Sequence, residues 1–165
     1  MYYPEHYYPI DATVIIDMFR DLTSEQLAYN SVSKFLYEMV EHNKRMYITM
    51  TVFFEIIKNL RCTIFKDLTW NDFNNKIKRI MRFFNQNRID ILYLSNNDVR
   101  KFLRNFSIID FNLCNCDVDE ISLLTKDIDN IVMLSSDKKC FKHLGIRYKD
   151  PREYNGENIN KWLST

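Results

Sequence analysis

The sequence predicts an α/β fold, a central parallel sheet with helices on both faces, and three observations predict it. Two β-branched or apolar runs, Thr13-Val14-Ile15-Ile16 and Ile131-Val132-Met133-Leu134, read as strands buried on both sides. Stretches with helical apolar spacing alternate with such runs, as strand–helix–strand units do. A chain of 165 residues, 46% hydrophobic, is enough for one domain with a proper core and short for two. Together these give a three-layer α/β/α arrangement in a single domain over residues 1–165. Residues 1–12, rich in tyrosine, are set apart as an N-terminal extension, flexible or packed on the sheet edge, to which no chemistry is assigned.

The elements follow in order. After the Thr13–Ile16 run, Thr23 with Gln26 makes a capping box, and Leu27, Val32, Phe35, Leu36, Met39 and Val40 form one apolar helical face. Met46 to Met50 reads as a short strand. Thr51 is placed as the cap of the next helix, with Val52, Ile56, Ile57 and Leu60 toward the core and Glu55 one turn in. Thr69 with Asp72 opens a helix with Trp70, Phe73, Ile77, Ile80, Met81 and Phe84 on its apolar side. Ile89 to Leu94 reads as a strand, Asn97 as the cap of a helix to about Phe106, and Asp117 to Lys126 as a further helix. After the Ile131 strand, Asp137 to Leu144 is a short helix ended by Gly145. Ile146 to Tyr148 is an edge strand, and the tail carries a last helix with Ile159, Trp162 and Leu163.

Four carboxylates stand out against this frame: Asp17, Glu55, Asp119 and Asp137. Asp17 closes the first apolar run and Asp137 follows the Ile131 run, so both are read at strand C-terminal ends, where ligands bind in open α/β sheets. Converging carboxylates repel unless a cation neutralises them. Hard divalent ions such as Mg²⁺ and Mn²⁺ take oxygen ligands, and phosphodiester hydrolysis is their common work in such clusters. Taken singly, each acid has a plain reading as a turn residue or a helix N-terminal charge.

Other classes are excluded or left without support. Two glycines and three prolines leave no room for a glycine-rich phosphate loop. A net charge of +1 exerts no global pull on nucleic acid, so polyanion binding rests on local basic residues: Lys58 and Arg61, the Lys76-Lys78-Arg79-Arg82 face, and Lys138, Lys139 and Lys142. Cysteines at 62, 114, 116 and 140 lack zinc-site spacing and read as reduced apolar residues. The start has neither a basic nor an apolar signal region, and no run is long enough to span a bilayer, so a cytoplasmic protein with no membrane partner is expected.

At these residues the chain resembles the PIN domain family, the nuclease fold of VapC-type toxins and ribosome-maturation endonucleases. Val14-Ile15-Ile16-Asp17 resembles the family's opening strand and first acid, and Thr51-Val52-Phe53-Phe54-Glu55 its second motif. Asp119-Glu120-Ile121-Ser122-Leu123-Leu124 resembles the third motif, with Asp117 as the neighbour next in line. Leu134-Ser135-Ser136-Asp137 resembles the fourth, and Leu144 to Tyr148 with Asp150-Pro151-Arg152-Glu153-Tyr154 the family's close.

The resemblance implies a metal-dependent endoribonuclease, toxin-like or RNA-processing, in which Asp17, Glu55, Asp119 and Asp137 serve as catalytic residues and as ligands of Mg²⁺ or Mn²⁺. It also implies an RNA substrate, an antitoxin-like protein partner and a homodimer. Ser135 and Thr51 are read as hydroxyls that orient ligands. Phe19 stands two residues after Asp17, where the family has Asn or Ser, and this departure supports the alternative of a non-catalytic PIN-like module that binds RNA or a protein. A phosphohydrolase with a single Mg²⁺ site is disfavoured, because no Asp-x-Asp pair closes the first strand.

Overall fold

The computed structural model describes residues 6, 8–21, 31–93, 95–108, 130–136 and 146–165. In chain order the described elements are β1 (Tyr8–Pro9), α1 (Ala12–Asp21), α2 (Ser31–Glu41), β2 (Met46–Thr49), α3 (Met50–Cys62), α4 (Trp70–Gln86), β3 (Ile89–Leu92), α5 (Asn96–Ile108), β4 (Val132–Leu134), β5 (Arg147–Lys149), a 3₁₀ turn (Pro151–Glu153) and α6 (Ile159–Ser164).

The strands are parallel. β1 pairs with β2 and β2 with β3, while β4 pairs with β5. A bridge from Ile10 to Leu134 and a 2.9 Å bond from Asp11 N–H to the Leu134 carbonyl join the two groups. The resulting order is β3-β2-β1-β4-β5, with its reversal between β1 and β4. All three residues of β4 are buried, as are three of the four in β2, so helices cover both faces of the sheet. α1 packs on α3, and α2 packs on the 3₁₀ turn and α6.

The first predicted strand is a helix. Thr13-Val14-Ile15-Ile16 lies inside α1, and the strand is the shorter segment before it, Tyr8–Pro9. The physical reason is burial: Ala12, Val14, Ile15, Ile16, Met18 and Phe19 all fall below one-tenth exposure, and Thr13 and Asp17 share a polar, half-buried side of α1. A short continuous apolar run does not distinguish a buried strand from a buried helix, and packing overrides the β preference of its side chains. Tyr8, Ile10 and Ala12, placed by sequence in the extension, belong to the core.

Capping residues shift too. Thr49, not Thr51, caps α3: its hydroxyl accepts from Val52 N–H and meets the Thr51 hydroxyl at 2.8 Å. Ser95, not Asn97, opens α5 through a reciprocal box, in which Asp98 N–H bonds the Ser95 hydroxyl and Asp98 Oδ2 accepts from Ser95 N–H. Thr69 caps α4 as predicted. Trp70, predicted on the apolar side of α4, is 69% exposed. At the C-terminal end Phe35 of α2 meets Tyr154 and Trp162 edge-on, with ring centroids 5.7 and 5.4 Å apart. The predicted helices over 117–126 and 137–144 and the Thr23–Gln26 box lie outside the described residues.

Candidate functional site

The strand order reverses between β1 and β4, and the C-terminal side of such a switch point is the place where open parallel sheets bind ligands. Asp11 occupies it. The chain leaves β1 through Ile10, fixed in an extended path by the bond from Ile10 N–H to the Tyr47 carbonyl, and turns at Asp11 into α1. Asp is a favoured residue immediately before a helix. The Asp11 carboxylate receives two hydroxyls on Oδ2, from Thr13 at 2.9 Å and from Ser135 at 2.8 Å.

Ser135 is fully buried at the end of β4 and anchored by its own N–H to the Lys149 carbonyl. Ser136 donates to Thr13 Oγ1 at 3.1 Å. Three hydroxyls thus converge directly or through one another on a single carboxylate, across two strand ends. Hydroxyl donors on one oxygen fix the plane of the carboxylate. The described donor set here is all oxygen, the chemistry of a hard divalent cation rather than of a soft one.

The sequence-predicted acids are distributed differently. Asp17 lies on α1, not at a strand end; it is half-buried, and its charge adds to the field on Arg152. The strand-end position belongs to Asp11, just before α1 begins. Glu55 lies on α3, half-buried beside the buried stripe of Val52, Ile56 and Leu60, with the Asn59 amide at 3.5 Å from Oε1. Continuing the β1–β2 register brings Thr49 alongside Asp11, so α3 starts from the same end of the sheet. Asp119, Asp137 and Asp117 lie outside the described residues. Among the described residues no three His, Cys, Asp or Glu side chains form a metal-holding group.

Sequence reading missed Asp11, and a signal was present. Pro9 restricts Tyr8 to extended backbone, and Asp11-Ala12-Thr13 precedes apolar residues at 14, 15, 18 and 19, a helical spacing. With Asp11 at the strand end, the residue two places on is Thr13, a hydroxyl. Phe19 is a core residue whose ring meets Phe83 edge-on at 5.4 Å.

The basic candidates divide as well. Arg61 donates to the Phe65 and Leu68 carbonyls and lies over the Phe73 ring at 5.1 Å, and Lys76 lies over Phe65 at 5.6 Å. Both hold the α3–α4 connection together. Lys58, Lys78, Arg79 and Arg82 are exposed, and Lys138, Lys139 and Lys142 lie outside the described residues.

No family model matches the chain, and no curated protein matches it. Among solved structures it is similar to VapBC-1 from nontypeable Haemophilus influenzae, with a TM-score of 0.56 and 15% identity over 89% of this chain and 99% of that one. The fold is PIN-like. In this PIN-like fold Asp11 and Ser135 meet where the strand order reverses, between β1 and β4. No helix among the described residues is long and apolar enough to cross a membrane.

Proposed function

We propose that this protein is a metal-dependent nuclease that hydrolyses RNA phosphodiester bonds, with Asp11 as the first acid of its site. The observation that carries the proposal is Asp11 itself: a carboxylate at the switch point of a parallel sheet, held by hydroxyls from both flanking segments. A surface aspartate that merely caps a helix has no need of a buried serine from a distant strand. The PIN-like fold supports the reading, as does the order of the acids in the sequence.

In the proposed site Asp11 and Glu55, with Asp119 and Asp137, hold Mg²⁺ or Mn²⁺. Such an ion, when bound, would lower the pKa of water and screen the charge that develops on the phosphoryl oxygens. The chain's own residues do the positioning. Thr13 and Ser135 keep Oδ2 of Asp11 in one orientation. Glu55, from the helix that begins beside the Asp11 strand end, accepts the proton of the attacking water. Thr13 stands where Phe19 argued for a silent module, so the catalytic reading keeps precedence. An antitoxin-like partner and a homodimer belong to the same proposal, with the likeness to VapBC-1 as support for the first.

The test is cleavage of a mixed structured and single-stranded RNA pool with Mg²⁺ or Mn²⁺, against EDTA and two substitutions prepared identically. Metal-dependent cutting lost in Asp11→Asn and kept in Asp17→Asn is the expected result. Loss in Asp17→Asn alone returns the first acid to α1. Equal traces in every sample mean contamination and end the proposal, as does the absence of cutting together with no Mn²⁺ binding.

A further inference from the structure

The nuclease reading uses the C-terminal end of the sheet; a second feature sits at the opposite end. Just before β2 and β3 a cavity of about 440 Å³ is lined by Asn43, Arg45, Phe84, Asn85, Arg88 and Asp90. The register explains why its arginines meet. Met46 pairs with Ile89, so the residues that precede them, Arg45 and Arg88, enter neighbouring parallel strands side by side.

One carboxylate stands against two guanidiniums. Arg45 pairs with Asp90 at 3.1 Å, with side chains 65% and 48% exposed, and Arg88 donates to the neutral Asn43 Oδ1 at 2.8 Å. The balance is positive. α4 extends it: Lys78 and Arg82 are exposed, and their spacing to Asn85 sets all three on one side of the helix, so a basic strip leads away from the cavity.

The backbone adds an independent observation. Asn43 and Arg88 are the two non-glycine residues with positive φ among the described residues, at 55° and 53°. Asparagine adopts this conformation readily and arginine does not. An arginine kept where glycine or asparagine is easier points to a use for its guanidinium. Helix capping accounts for the left-handed backbone at both positions but makes no use of the guanidinium. The last turn of α4 is closed by Asn87, whose N–H and side-chain amide both bond the Phe83 carbonyl, and by the Arg88 N–H on the Asn85 carbonyl. The end of α2 is closed by backbone bonds from His42 to Glu38, from Asn43 to Val40 and from Lys44 to Met39.

We infer that this cavity binds the phosphate group of a nucleotide or of a nucleic-acid strand. Arg45 and Arg88 take the phosphate oxygens, a pairing for which the planar guanidinium is suited, and the amides of Asn43 and Asn85 are within the same cavity for sugar or base. Asp90 opposes the ligand, because phosphate competes with it for Arg45. The volume is in the range of small-ligand sites.

Calorimetric titration of the full chain tests this, in the Asp11→Asn background so that RNA remains intact. The probes are inorganic phosphate, adenosine monophosphate and a short single-stranded RNA. Binding weakened about tenfold or more by Arg45→Gln and by Arg88→Gln is expected, the loss of a charge-assisted hydrogen bond. Arg88→Gly settles the left-handed backbone while deleting the guanidinium, so it must fold as well as the parent and still lose binding. Asp90→Asn must tighten binding, the opposite sign from damage to the fold.

Adenosine monophosphate bound as tightly as RNA identifies a nucleotide site. RNA bound alone, and weakened further by Lys78→Gln and Arg82→Gln, identifies a strand site. Binding indifferent to both arginines, or none of the three probes bound at millimolar concentration, overturns the inference. Because Asp11 is already substituted, failure here leaves the nuclease reading standing, and failure of that reading leaves this site standing.

Discussion

Ser135 and Asp11, 124 residues apart in the chain, meet at 2.8 Å where β4 and β1 end, the serine hydroxyl donating to Oδ2 of the carboxylate. Two short parallel strands, tied by the Ile10–Leu134 bridge, hold this contact in place. It is the point at which strand pairing becomes site geometry.

Removal of that hydroxyl leaves Asp11 with one fewer orienting donor. Ser135→Ala is expected to lower RNA cleavage or Mn²⁺ affinity by about 10–100-fold, the usual effect of deleting a residue that orients a metal ligand. Ser135→Thr keeps the hydroxyl and recovers part of the loss. Full activity in Ser135→Ala, measured by initial cleavage rates, argues that Asp11 is held for stability alone.

Thr49 and Thr51 share a hydrogen bond, yet only Thr49 bonds the α3 backbone. Thr49→Ala should therefore cost about 1 kcal/mol of stability, the value of a lost N-cap. Thr51 is exposed, and Thr51→Ala should change stability by about 0.5 kcal/mol or less. Urea melts of the two variants side by side distinguish the caps, and equal costs would contradict the assignment.

Gly156 sits at φ +90°, and a Cβ there would run into the end of the Lys34 side chain. Lysine can swing away, so the cost is chiefly backbone. Gly156→Ala is expected to destabilise by about 1–2 kcal/mol, the penalty for an L residue in this region. Adding Lys34→Ala removes the collision and should restore only a small part. Thermal unfolding of the single and double variants reads the split.

Burial raises the Tyr8 pKa above its ordinary 10.0, against a smaller opposing pull from the Arg147 charge. The unfolded chain therefore releases the phenolic proton first. Above about pH 10 the folded state binds more protons than the unfolded one, so stability present below that pH is lost as pH rises through the folded value. Tyr8→Phe should flatten this alkaline fall relative to the parent. Parallel falls in both proteins, in urea melts between about pH 9 and pH 11, would show that other groups carry it.

Much of the fold was legible where one local signal stood unopposed. The Thr69 cap and the Phe73, Ile80 and Phe84 stripe of α4 read correctly because a capping hydroxyl and a helical period agree there. Ile159, Trp162 and Leu163 were recognisable as core for the same reason. Trp70 did not follow its spacing: as the first residue of α4 it stays exposed.

What the sequence by itself determined is the alternation of elements, the parallel α/β class and the serine at the end of the Ile131 run, because these depend on composition and period along the chain. What only the tertiary structure decided is which aspartate ends the first strand. A buried helix and a buried strand both need unbroken apolar side chains, so Thr13 to Ile16 satisfies either. The choice comes from pairing: Tyr8 and Pro9 have Met46 and Tyr47 to pair with, Ile10 has Leu134, and the residues after them have α3 to pack on. That decision moves the strand end from Asp17 to Asp11, and with it the residue that Ser135 meets.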